Sequence, residues 1–517
     1  MRFAELGLVP GGDYGLVGPE PASDAMIAGI AVDSREVKDG FLFVAIPGTR
    51  LDGAEFIPYA LRMGAGAILA TPEGAARMAP EDGWPVPVLT TPKPRRALSI
   101  IAARFWPSQP AVMAAVTGTN GKTSTVHFLR QLWHAEGFAA ASLGTTGVEG
   151  GTAADPQAFD APLGHTTPEP ITLHRALDTL ARQGCGHAAM EASSHGLEQH
   201  RVDGVRMTAA ALTHISRDHL DYHASFEAYV AAKLALFGRV LPPEGTAVIN
   251  LDDPVAAEAM ALVQARGQRA ITTGRSEGAD LRLMGQSFRT DGQDLLIAHG
   301  GAEHRVPLQL VGTYQAENVL TAAGLAMATG MSVEAVIAAL PGLATVRGRM
   351  ELAGHRQNGA AVYVDYSHTP GALEAALASL RPHVTGNLVC VFGAGGDRDR
   401  GKRPMMGEAV ARGADIAIVT DDNPRSEDAA EIRAAVMEGV RAVPGASAQN
   451  VGGRAEAILV GVDALQGPGD VLLVAGKGHE PGQEVMGEML PFDDVEQSRA
   501  AIAVLDADDA GPGAGAG

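Results

Sequence analysis

Val116-Thr-Gly-Thr-Asn-Gly-Lys-Thr-Ser-Thr125 joins an apolar run, residues 111–116, to an amphipathic pattern that predicts a helix. The two glycines allow the backbone to approach a ligand closely, and the N–H groups at a helix N-terminus bind phosphate. Lys122 can neutralise phosphate charge, and Thr123 is a candidate Mg²⁺ ligand. Valine rather than glycine at position 116 makes this a variant loop, for which a simple strand-to-helix turn is the structural alternative. We predict a phosphate-binding loop formed by Gly118, Thr119, Asn120, Gly121, Lys122 and Thr123.

The composition restricts the classes of partner. A net charge of −20 argues against nucleic acid and anionic membranes, although a local positive site can still bind an anionic substrate. Cys185 and Cys390 lie in or beside apolar stretches, in no metal-binding spacing, which indicates buried thiols in a reducing compartment. The N-terminal residues do not resemble a signal peptide, and no apolar run approaches the ~20 residues that span a membrane. We therefore expect a cytoplasmic protein.

The length of 517 residues predicts about three or four domains. Prolines between positions 92 and 110 mark the end of the first, and strands then alternate with helices as in a doubly wound α/β layer. A second alternating region contains three strong apolar runs. The final residues are Asp, Ala, Gly and Pro alone, which predicts disorder. We predict domains at 1–110, 111–343 and 344–505, followed by a disordered tail at 506–517.

Lysine is rare in this chain, with six lysines against 34 arginines. Four of the six, at positions 122, 233, 402 and 477, lie in segments that other features also single out. Positions that keep lysine in so arginine-rich a sequence indicate a requirement for an ammonium or amine.

Two segments of the middle third contain candidate metal ligands. Glu191 follows a predicted strand, and a carboxylate at that end of a strand beside a phosphate loop is well placed to hold Mg²⁺. A solvated glutamate at a helix start is the alternative. His219, in the segment 216–223, is a candidate ligand for a second metal ion, with an ordinary surface-loop histidine as the alternative.

The helix predicted after Ser225 places Lys233 in an apolar stripe with Phe226, Tyr229, Val230 and Phe237. Desolvation lowers the pKa of an amine, and a neutral amine can react with CO₂ to form a carbamate. The carbamate would be a carboxylate-like metal ligand. A lysine whose stem packs on apolar surface while its amine reaches solvent is the alternative.

In the last third, a polar loop follows each strong apolar run. The loops at 393–403, 420–427 and 476–480 meet at one edge if the strands are parallel. Arg398 and Arg425 can each bind a carboxylate in a bidentate manner, and Glu480 can bind an ammonium group. An amino acid with both charges would fit this crevice, although solvated charged loops would show the same pattern.

These segments together resemble the Mur ligases, the ATP-dependent amide-forming enzymes of peptidoglycan precursor synthesis. The resemblance extends over almost the whole chain and rests on six ordered motifs: Gly118–Thr123, Glu191–Leu197, Asp218–His223 with Lys233, Asp365–Pro370, Asp422–Arg425 and Gly476–Glu480. It implies an α/β fold of three domains, with a central P-loop ATPase sheet and a C-terminal Rossmann-like domain. His165 and Gly371 depart from the usual family residues.

The resemblance also implies roles for individual residues. Lys233 would be carbamylated and would hold a second Mg²⁺ with His219, while Glu191 would serve magnesium too. The residues that would hold the nucleotide-sugar dipeptide are Ser34, Thr49, Arg50, Thr166, Thr167, Ser193, Gln199 and Arg201. Those that would hold ATP besides the loop are Asn318, Arg349 and Asp365. Those that would hold the amino acid are Arg398, Asp422, Asn423, Pro424, Arg425, Gly476 and Glu480.

The implied substrates are ATP, UDP-MurNAc-L-Ala-D-Glu and meso-diaminopimelate, with two Mg²⁺ ions as cofactors and an acyl phosphate as intermediate. Diaminopimelate has one carboxylate more than lysine, and Arg425 can pair with it. Leaving this arginine unpaired opposite lysine would cost ~1–3 kcal/mol. The alternatives are a lysine-adding Mur ligase, a ligase like folylpolyglutamate synthetase, and a nucleotide-binding scaffold without catalysis.

Overall fold

The apolar runs of the sequence form mainly parallel strands, which helices cover on both faces. The computed structural model describes residues 1–7, 14–48, 51–217 and 222–509. The described chain forms two compact units, one of Met1–Leu281 with Leu320–Val336 and the other of Arg282–Val319 with Ile337–Gly517. Thr49, Arg50 and His219, which we predicted as site residues, lie outside the described residues.

The first unit contains twelve of the strands that the structure describes up to Leu281. They are β1 Gly15–Val17, β2 Gly29–Ala31, β3 Phe41–Val44, β4 Ala67–Ala70, β5 Val88–Thr90, β6 Val112–Thr117, β7 Ala140–Gly144, β8 Gly147–Gly151, β9 His187–Glu191, β10 Ala209–Leu212, β11 Thr246–Asn250 and β12 Arg269–Gly274. The helices of this part are α1 Ile57–Arg62, α2 Pro72–Arg77, α3 Pro94–Phe105, α4 Lys122–Ala135, α5 Pro170–Arg182, α6 Ser194–Glu198, α7 Phe226–Ala235 and α8 Ala256–Ala265.

Two sheets organise the first unit. One has the order β1-β5-β4-β3-β2, and the other contains the run β12-β11-β10-β6-β9-β7-β8. Only the end strands β1 and β8 pair in the antiparallel sense within these two runs of described strands. Strand β6 therefore lies between β9 and β10, and the loop that follows it opens at the carboxyl edge of the sheet.

The chain then continues through β13 Leu281–Arg289, β14 Gly292–His299, β15 Ala302–Leu308, β16 Glu351–His355, β17 Ala361–Asp365, β18 Leu388–Phe392, β19 Ile416–Val419, β20 Ser447–Asn450, β21 Val471–Ala475, β22 Gly482–Val485 and β23 Glu488–Pro491. The helices are α9 Gln315–Ala328, α10 Val333–Ala339, α11 Pro370–Leu380, α12 Lys402–Gly413, α13 Ala429–Arg441, α14 Arg454–Asp463 and α15 Asp494–Asp509. Short 3₁₀ helices cover Phe3–Leu6, Ser34–Glu36, Gly53–Phe56, Leu340–Gly342 and Arg381–His383, and a π-helix covers Leu236–Val240.

The main sheet of the second unit has the order β16-β17-β21-β18-β19-β20, and all pairs except β16–β17 are parallel. Alternate residues of β17 enter different cores, Ala361 and Tyr363 on one face and Val362 and Val364 on the other. This two-sided burial explains why the central strands are continuously apolar. The prediction of parallel strands in this region is confirmed.

Two features differ from the sequence expectations. Strands β13, β14 and β15 form an antiparallel meander that the sequence analysis did not single out. Helix α15 continues to Asp509, so residues 506–509 are helical rather than a disordered tail. Arg356 donates to Asp506 at 2.7 Å, and both residues are buried, which holds this part of the helix on the unit. Residues 510–517 lie outside the described residues.

Both cysteines are buried, as the sequence predicts. Burial raises the pKa of Cys185 to about 12, since the thiolate would be poorly solvated. In the described ranges, none of the helices has the length and apolar character needed to cross a membrane.

A buried histidine makes the first unit sensitive to acid. Burial, followed by the charge of Arg206, lowers the pKa of His174 to about 4. In the unfolded chain the histidine takes up a proton near pH 6.5, whereas the folded protein keeps it neutral down to about pH 4. The unfolded state therefore binds more protons in this window, and stability falls as the pH decreases from 6.5 to 4.

We expect the contribution of His174 to the free energy of unfolding to decrease by on the order of 2 kcal/mol between pH 6.5 and pH 5. Denaturant unfolding followed by tryptophan fluorescence measures this directly, because Trp84, Trp106 and Trp133 all belong to the first unit. His174→Gln should weaken the pH dependence of this unfolding free energy. His355→Gln, at an exposed position, should leave that pH dependence unchanged. An unchanged slope in His174→Gln would contradict the assignment.

Candidate active site

The loop after β6 has the backbone geometry of a phosphate site. Gly118 and Gly121 have φ of 150° and 84°, in the region that favours glycine. A Cβ at Gly118 would also overlap the Thr213 hydroxyl. Helix α4 begins at Lys122, so the N–H groups of its first turn face the loop. The prediction of strand, glycine-rich loop and helix is confirmed in its geometry.

Lys122 folds back over the loop. Its Nζ donates to the carbonyl oxygens of Gly118 and Thr119, both at 2.9 Å. These contacts keep the ammonium group at the mouth of the loop, where the terminal phosphates of a nucleotide would arrive.

Glu191 ends β9 directly beside the loop, because Val116 and Glu191 are partners in the parallel β6–β9 ladder. Its Oε1 accepts from the Thr123 hydroxyl and from the Thr145 N–H, each at 2.9 Å. Glu191 is only 1% exposed. A side chain at Gly144 would overlap this carboxylate, so glycine provides the space that it occupies.

The Thr123–Glu191 pair fits Mg²⁺. The Thr123 hydroxyl and the Glu191 carboxylate are oxygen donors, the ligand type that magnesium takes, and the hydrogen bond between them holds the two oxygens 2.9 Å apart. Within the described part of the chain, no group of three or more His, Cys, Asp or Glu side chains is arranged to hold a metal ion. The protein would thus supply two oxygen ligands here, and substrate oxygens or water would supply the rest, as is usual for magnesium.

Lys233 reaches the same loop from α7. It is 1% exposed, its Nζ donates to Gly118 O at 2.7 Å, and Nζ lies 4.7 Å from the centre of the Tyr229 ring. The Tyr229 hydroxyl is 2.7 Å from the Thr119 hydroxyl, which also donates to Ser216 O. The prediction that Lys233 shares the buried face of its helix is confirmed.

The residues predicted for the dipeptide part of the substrate form one hydrogen-bonded group in the first unit. The Thr167 hydroxyl donates to Glu191 O and accepts from Ser193 N–H, each at 2.9 Å. Arg201 donates to Thr167 O at 2.7 Å and, from Nε and Nη2, to Gln199 Oε1. Because its hydroxyl is already engaged, Thr167 supports its neighbours rather than presenting a free hydroxyl.

Thr166 completes this group, and Arg201 gives it positive charge. The Thr166 hydroxyl is 3.0 Å from the Thr145 hydroxyl. Thr145 in turn donates its backbone N–H to Glu191, so Thr166 is linked to that carboxylate through Thr145. Burial, followed by the charge of Arg95, lowers the pKa of Arg201. A site in which cations are concentrated and partly desolvated is suited to an anionic substrate.

Ser34 lies apart from this group, at a cavity of about 680 Å³ lined by Val32, Asp33, Ser34, Arg35, Phe56 and Tyr59. Asp33 caps the 3₁₀ helix that begins at Ser34 by accepting from Arg35 N–H. The two aromatic rings are partly exposed. Aromatic side chains next to hydrogen-bonding groups suit a planar, polar ring such as a nucleobase.

The other residues predicted for ATP belong to the second unit. Asp365 ends β17 and accepts from the backbone N–H groups of Met350 and Ser367, both at 2.9 Å. The Arg349 guanidinium lies 4.8 Å from the centre of the Tyr366 ring. Asn318 Nδ2 donates to Gln315 Oε1 at 3.0 Å. The structure thus places Arg349 next to the Asp365 loop, and Asn318 on α9.

The loops after β18, β19 and β21 meet in the second unit, as the parallel strands predict. Asn423 Nδ2 donates to Glu480 Oε2 at 3.0 Å, and Lys477 Nζ donates to the same oxygen at 3.1 Å and to Asn423 Oδ1 at 3.1 Å. In the part of the chain that the structure describes, both donors to Glu480 use Oε2, so Oε1 can accept from a ligand. Gly476 has φ of 125°, and a Cβ there would lie 2.6 Å from Asp422 Oδ2.

Arg425 stands at the same edge in a left-handed conformation, with φ of 53°. Its Nη1 donates to Gly396 O at 2.8 Å, and its Nε lies 3.0 Å from Glu484 Oε2. Pro424, before it, is buried. Arg398 lies on the neighbouring loop, where its side chain is exposed and donates only weakly, to Asp397 O at 3.4 Å.

A fully buried ion pair supports these loops from beneath. Arg454 Nε and Nη2 donate to the two carboxylate oxygens of Asp494, both at 2.7 Å, and neither side chain is exposed. Arg454 also donates to Ala475 O and Asp421 O and lies 3.9 Å from Asp422 Oδ2. Burial opposes the charged guanidinium, but Asp494 outweighs it and raises the pKa of Arg454.

Several residues of these sites are not predicted by the sequence pattern. Lys477 was noticed for the rarity of lysine but not assigned to the pocket, although its side chain is completely buried against Glu480. Thr145 gave no sequence signal, because it contacts Glu191 only through the turn between β7 and β8. Glu484 lies outside the charged loops that we considered, on a hairpin strand.

The parallel sheets and the glycine-rich loop between β6 and α4 place the chain in the class of P-loop α/β proteins. Three family models match consecutive parts of it: the Mur ligase family catalytic domain at residues 26–106, the Mur ligase middle domain at 116–326, and the Mur ligase glutamate ligase domain at 348–478. The chain belongs to the Mur ligase family, whose members are ATP-dependent, amide-forming ligases.

Close relatives carry one name, UDP-N-acetylmuramoyl-L-alanyl-D-glutamate–2,6-diaminopimelate ligase. The protein from Caulobacter vibrioides is 48% identical over 94% of this chain and 97% of its own length. The protein from Bradyrhizobium diazoefficiens is 48% identical over 94% and 96%. A solved structure with the same name has a TM-score of 0.73 and 32% identity, and the match covers 98% of this chain and 99% of the other. The fold is thus the α/β Mur ligase architecture.

Proposed function

We propose that this chain uses ATP to add meso-2,6-diaminopimelate to UDP-MurNAc-L-Ala-D-Glu in peptidoglycan precursor synthesis. The observation that carries the proposal is the placement of Arg425 and Glu480 at one sheet edge, in a chain whose relatives bear the name of this reaction. A guanidinium and a carboxylate at one edge suit a substrate that carries both carboxylate and ammonium groups.

We also propose the division into domains at 1–110, 111–343 and 344–505. Each range matched by a family model falls within one of these domains. The first would hold the uridine end of the substrate at Ser34, Thr49 and Arg50. The group Thr166, Thr167, Ser193, Gln199 and Arg201 would hold the muramoyl dipeptide.

The first step would be phosphoryl transfer. A carboxylate oxygen of the D-glutamate side chain attacks the γ-phosphorus of ATP, the bond to the bridging oxygen breaks, and ADP leaves. Lys122 and the N–H groups of the loop bind the phosphates and stabilise the charge that develops on the phosphoryl oxygens. The product is an acyl phosphate, whose carbonyl carbon is a better electrophile than a carboxylate.

The second step would form the amide bond. The amine nitrogen of diaminopimelate attacks the acyl carbon, the tetrahedral intermediate collapses, inorganic phosphate leaves, and the nitrogen loses its proton. Glu480 would hold an ammonium group of the amino acid, while Arg398 and Arg425 would hold its carboxylates. Their contribution is orientation, because a guanidinium that donates two parallel N–H bonds to a carboxylate fixes the position of that carboxylate.

Metal ligands are the finer part of the proposal. Thr123 and Glu191 would hold one Mg²⁺, and carbamylated Lys233 with His219 would hold a second. Magnesium, when bound, neutralises charge on the phosphoryl oxygens. A carbamate nitrogen keeps one N–H, so Lys233 can retain its bond to Gly118 O while its new carboxylate points elsewhere.

Release of ADP by the purified protein tests the function. The protein would receive Mg-ATP and UDP-MurNAc-L-Ala-D-Glu, with meso-diaminopimelate or L-lysine in parallel. We expect turnover with diaminopimelate alone. Turnover with lysine would instead identify a lysine-adding ligase, release with a folate substrate would identify a folylpolyglutamate synthetase, and no release with any of them would favour a scaffold without catalysis.

Arg425→Ala should raise the KM for diaminopimelate by about tenfold or more, because the second carboxylate loses a charged partner in a partly buried pocket. The KM for ATP should not change. Initial rates at varied diaminopimelate concentration measure this. Arg412→Ala is the matched control, since Arg412 pairs with Glu408 on an exposed helix face. An unchanged KM in Arg425→Ala would remove this residue from the substrate site.

A further inference from the structure

The hairpin of β22 and β23 contributes a carboxylate that the proposed ligation does not use. We propose that Glu484 is a positioning residue for Arg425 and fixes its guanidinium to receive the second carboxylate of a diamino-dicarboxylic acid. This inference rests on the proposed function, because it concerns selection at the same pocket.

The backbone at position 484 is attached to the Asp422–Arg425 loop whatever its side chain is. Its N–H donates to Asn423 Oδ1 at 2.9 Å, and its carbonyl oxygen accepts from Arg425 N–H at 3.0 Å. Met486 N–H donates to Arg425 O at 2.7 Å. A substitution at Glu484 can therefore change the side chain while these bonds hold the hairpin in place.

The side chain of Glu484 acts on one end of the Arg425 guanidinium. Nε lies 3.0 Å from Glu484 Oε2, and Nη1 donates to Gly396 O at 2.8 Å. Nη2 makes no hydrogen bond to the residues that the structure describes. A guanidinium is planar, so two fixed nitrogens determine the direction of the third. The Nη2 edge is consequently left for a ligand carboxylate, with its orientation set in advance.

The other carboxylates of these loops are engaged elsewhere. Glu427 pairs with Arg403 and Arg400, Asp397 accepts from Ser426, and Glu480 accepts from Lys477 and Asn423. Among the described residues, Glu484 forms the ion pair with Arg425, while Asp397 attracts it more weakly. The Arg425 side chain is about four-fifths buried on a left-handed backbone, and Glu484 supplies its nearest counter-charge.

Orientation of Arg425 should matter for diaminopimelate and not for ATP. A guanidinium free to rotate about its side chain would have to be ordered when the substrate binds, and this entropy cost appears as a higher KM. The reaction of bound substrate would proceed at the same rate, because neither residue touches the reacting atoms. The expected signature is a change in KM with little change in kcat.

The test compares Glu484→Ala and Glu484→Gln with wild type, and uses Glu488→Gln, an exposed glutamate of the same hairpin, as the control. We expect Glu484→Ala to raise the KM for diaminopimelate about threefold to fivefold, with kcat and the KM for ATP unchanged. Glu484→Gln should raise the KM to a similar extent, because the neutral amide lacks the charge of the ion pair. Glu488→Gln should behave as wild type.

A KM in Glu484→Ala or Glu484→Gln equal to that of wild type would overturn the assignment, as would an equal rise in the KM for ATP. The Nε–H resonance of Arg425, identified by its loss in Arg425→Lys, gives a reading independent of turnover. It should exchange with solvent faster in Glu484→Ala than in wild type and in Glu488→Gln, and equal exchange would again contradict the proposal. Absence of diaminopimelate turnover in wild type would reject the proposed function, and this resonance would still decide the role of Glu484.

Discussion

Lys233→Ala should lower kcat by on the order of a hundredfold to a thousandfold, the usual effect of removing one group that stabilises transferred charge. The side chain is buried against the loop, with Nζ bonded to Gly118 O and adjacent to the Tyr229 ring. Its loss would remove either a cation or, as we propose, a carbamate that serves as a metal ligand. The measurement is single-turnover ADP formation at saturating substrates.

Two companion variants separate these explanations. Lys233→Arg keeps a positive charge but cannot form the carbamate, so it should be as impaired as the alanine variant. Isotopically labelled bicarbonate should give a carbamate carbon resonance in wild type that both variants lack. The exposed Lys38 provides the control, and Lys38→Ala should be fully active. Activity of Lys233→Arg close to wild type would show that the charge, and not the carbamate, is required.

Arg454→Met should destabilise the second unit by about 3–5 kcal/mol, the range observed when one member of a buried ion pair is removed. Asp494 would remain fully buried without its bidentate partner, and the carbonyl oxygens of Ala475 and Asp421 would lose a donor. Asp422, in the proposed amino-acid pocket, would lose the Arg454 cation that lies 3.9 Å away. We therefore expect both stability and diaminopimelate binding to suffer.

Hydrogen exchange of the β21 amides measures this effect in the unit concerned, since the tryptophans all belong to the other unit. Arg412→Met breaks the exposed pair with Glu408 and should change stability by less than about 1 kcal/mol. A double variant, Arg454→Met with Asp494→Leu, should recover part of the loss because no charge is left buried. Protection of β21 in Arg454→Met equal to that of Arg412→Met would contradict the expectation.

The sequence was sufficient where the signal is local. The run Leu388–Phe392 is buried on both faces, so its continuous apolar character identifies it as a central strand with the correct bounds. The β6 loop was likewise recognisable because its glycines, Lys122 and Thr123 all lie within residues 118–123. The meander β13–β15 was not predicted, because many of its residues are exposed or half-buried and the apolar alternation is therefore weak.

Contacts between distant residues could not be foreseen. Thr145 reaches Glu191 across 46 residues, and nothing in the sequence around position 145 indicates a carboxylate partner. The ion pair of Arg425 and Glu484 depends on a left-handed residue and on a hairpin that docks against its loop. Sequence patterns report which residues are apolar and adjacent, whereas these contacts depend on how the loops fold back.

Glycine at position 144 has a consequence for how this family can vary over time. A Cβ at that position would overlap the Glu191 carboxylate, so a larger residue at 144 requires residue 191 or its strand to shift. A lineage that acquires alanine at 144 should show a shorter carboxylate, aspartate, at 191, or a displaced strand β7. Paired variation of positions 144 and 191 among related sequences would therefore reflect the space that the carboxylate requires.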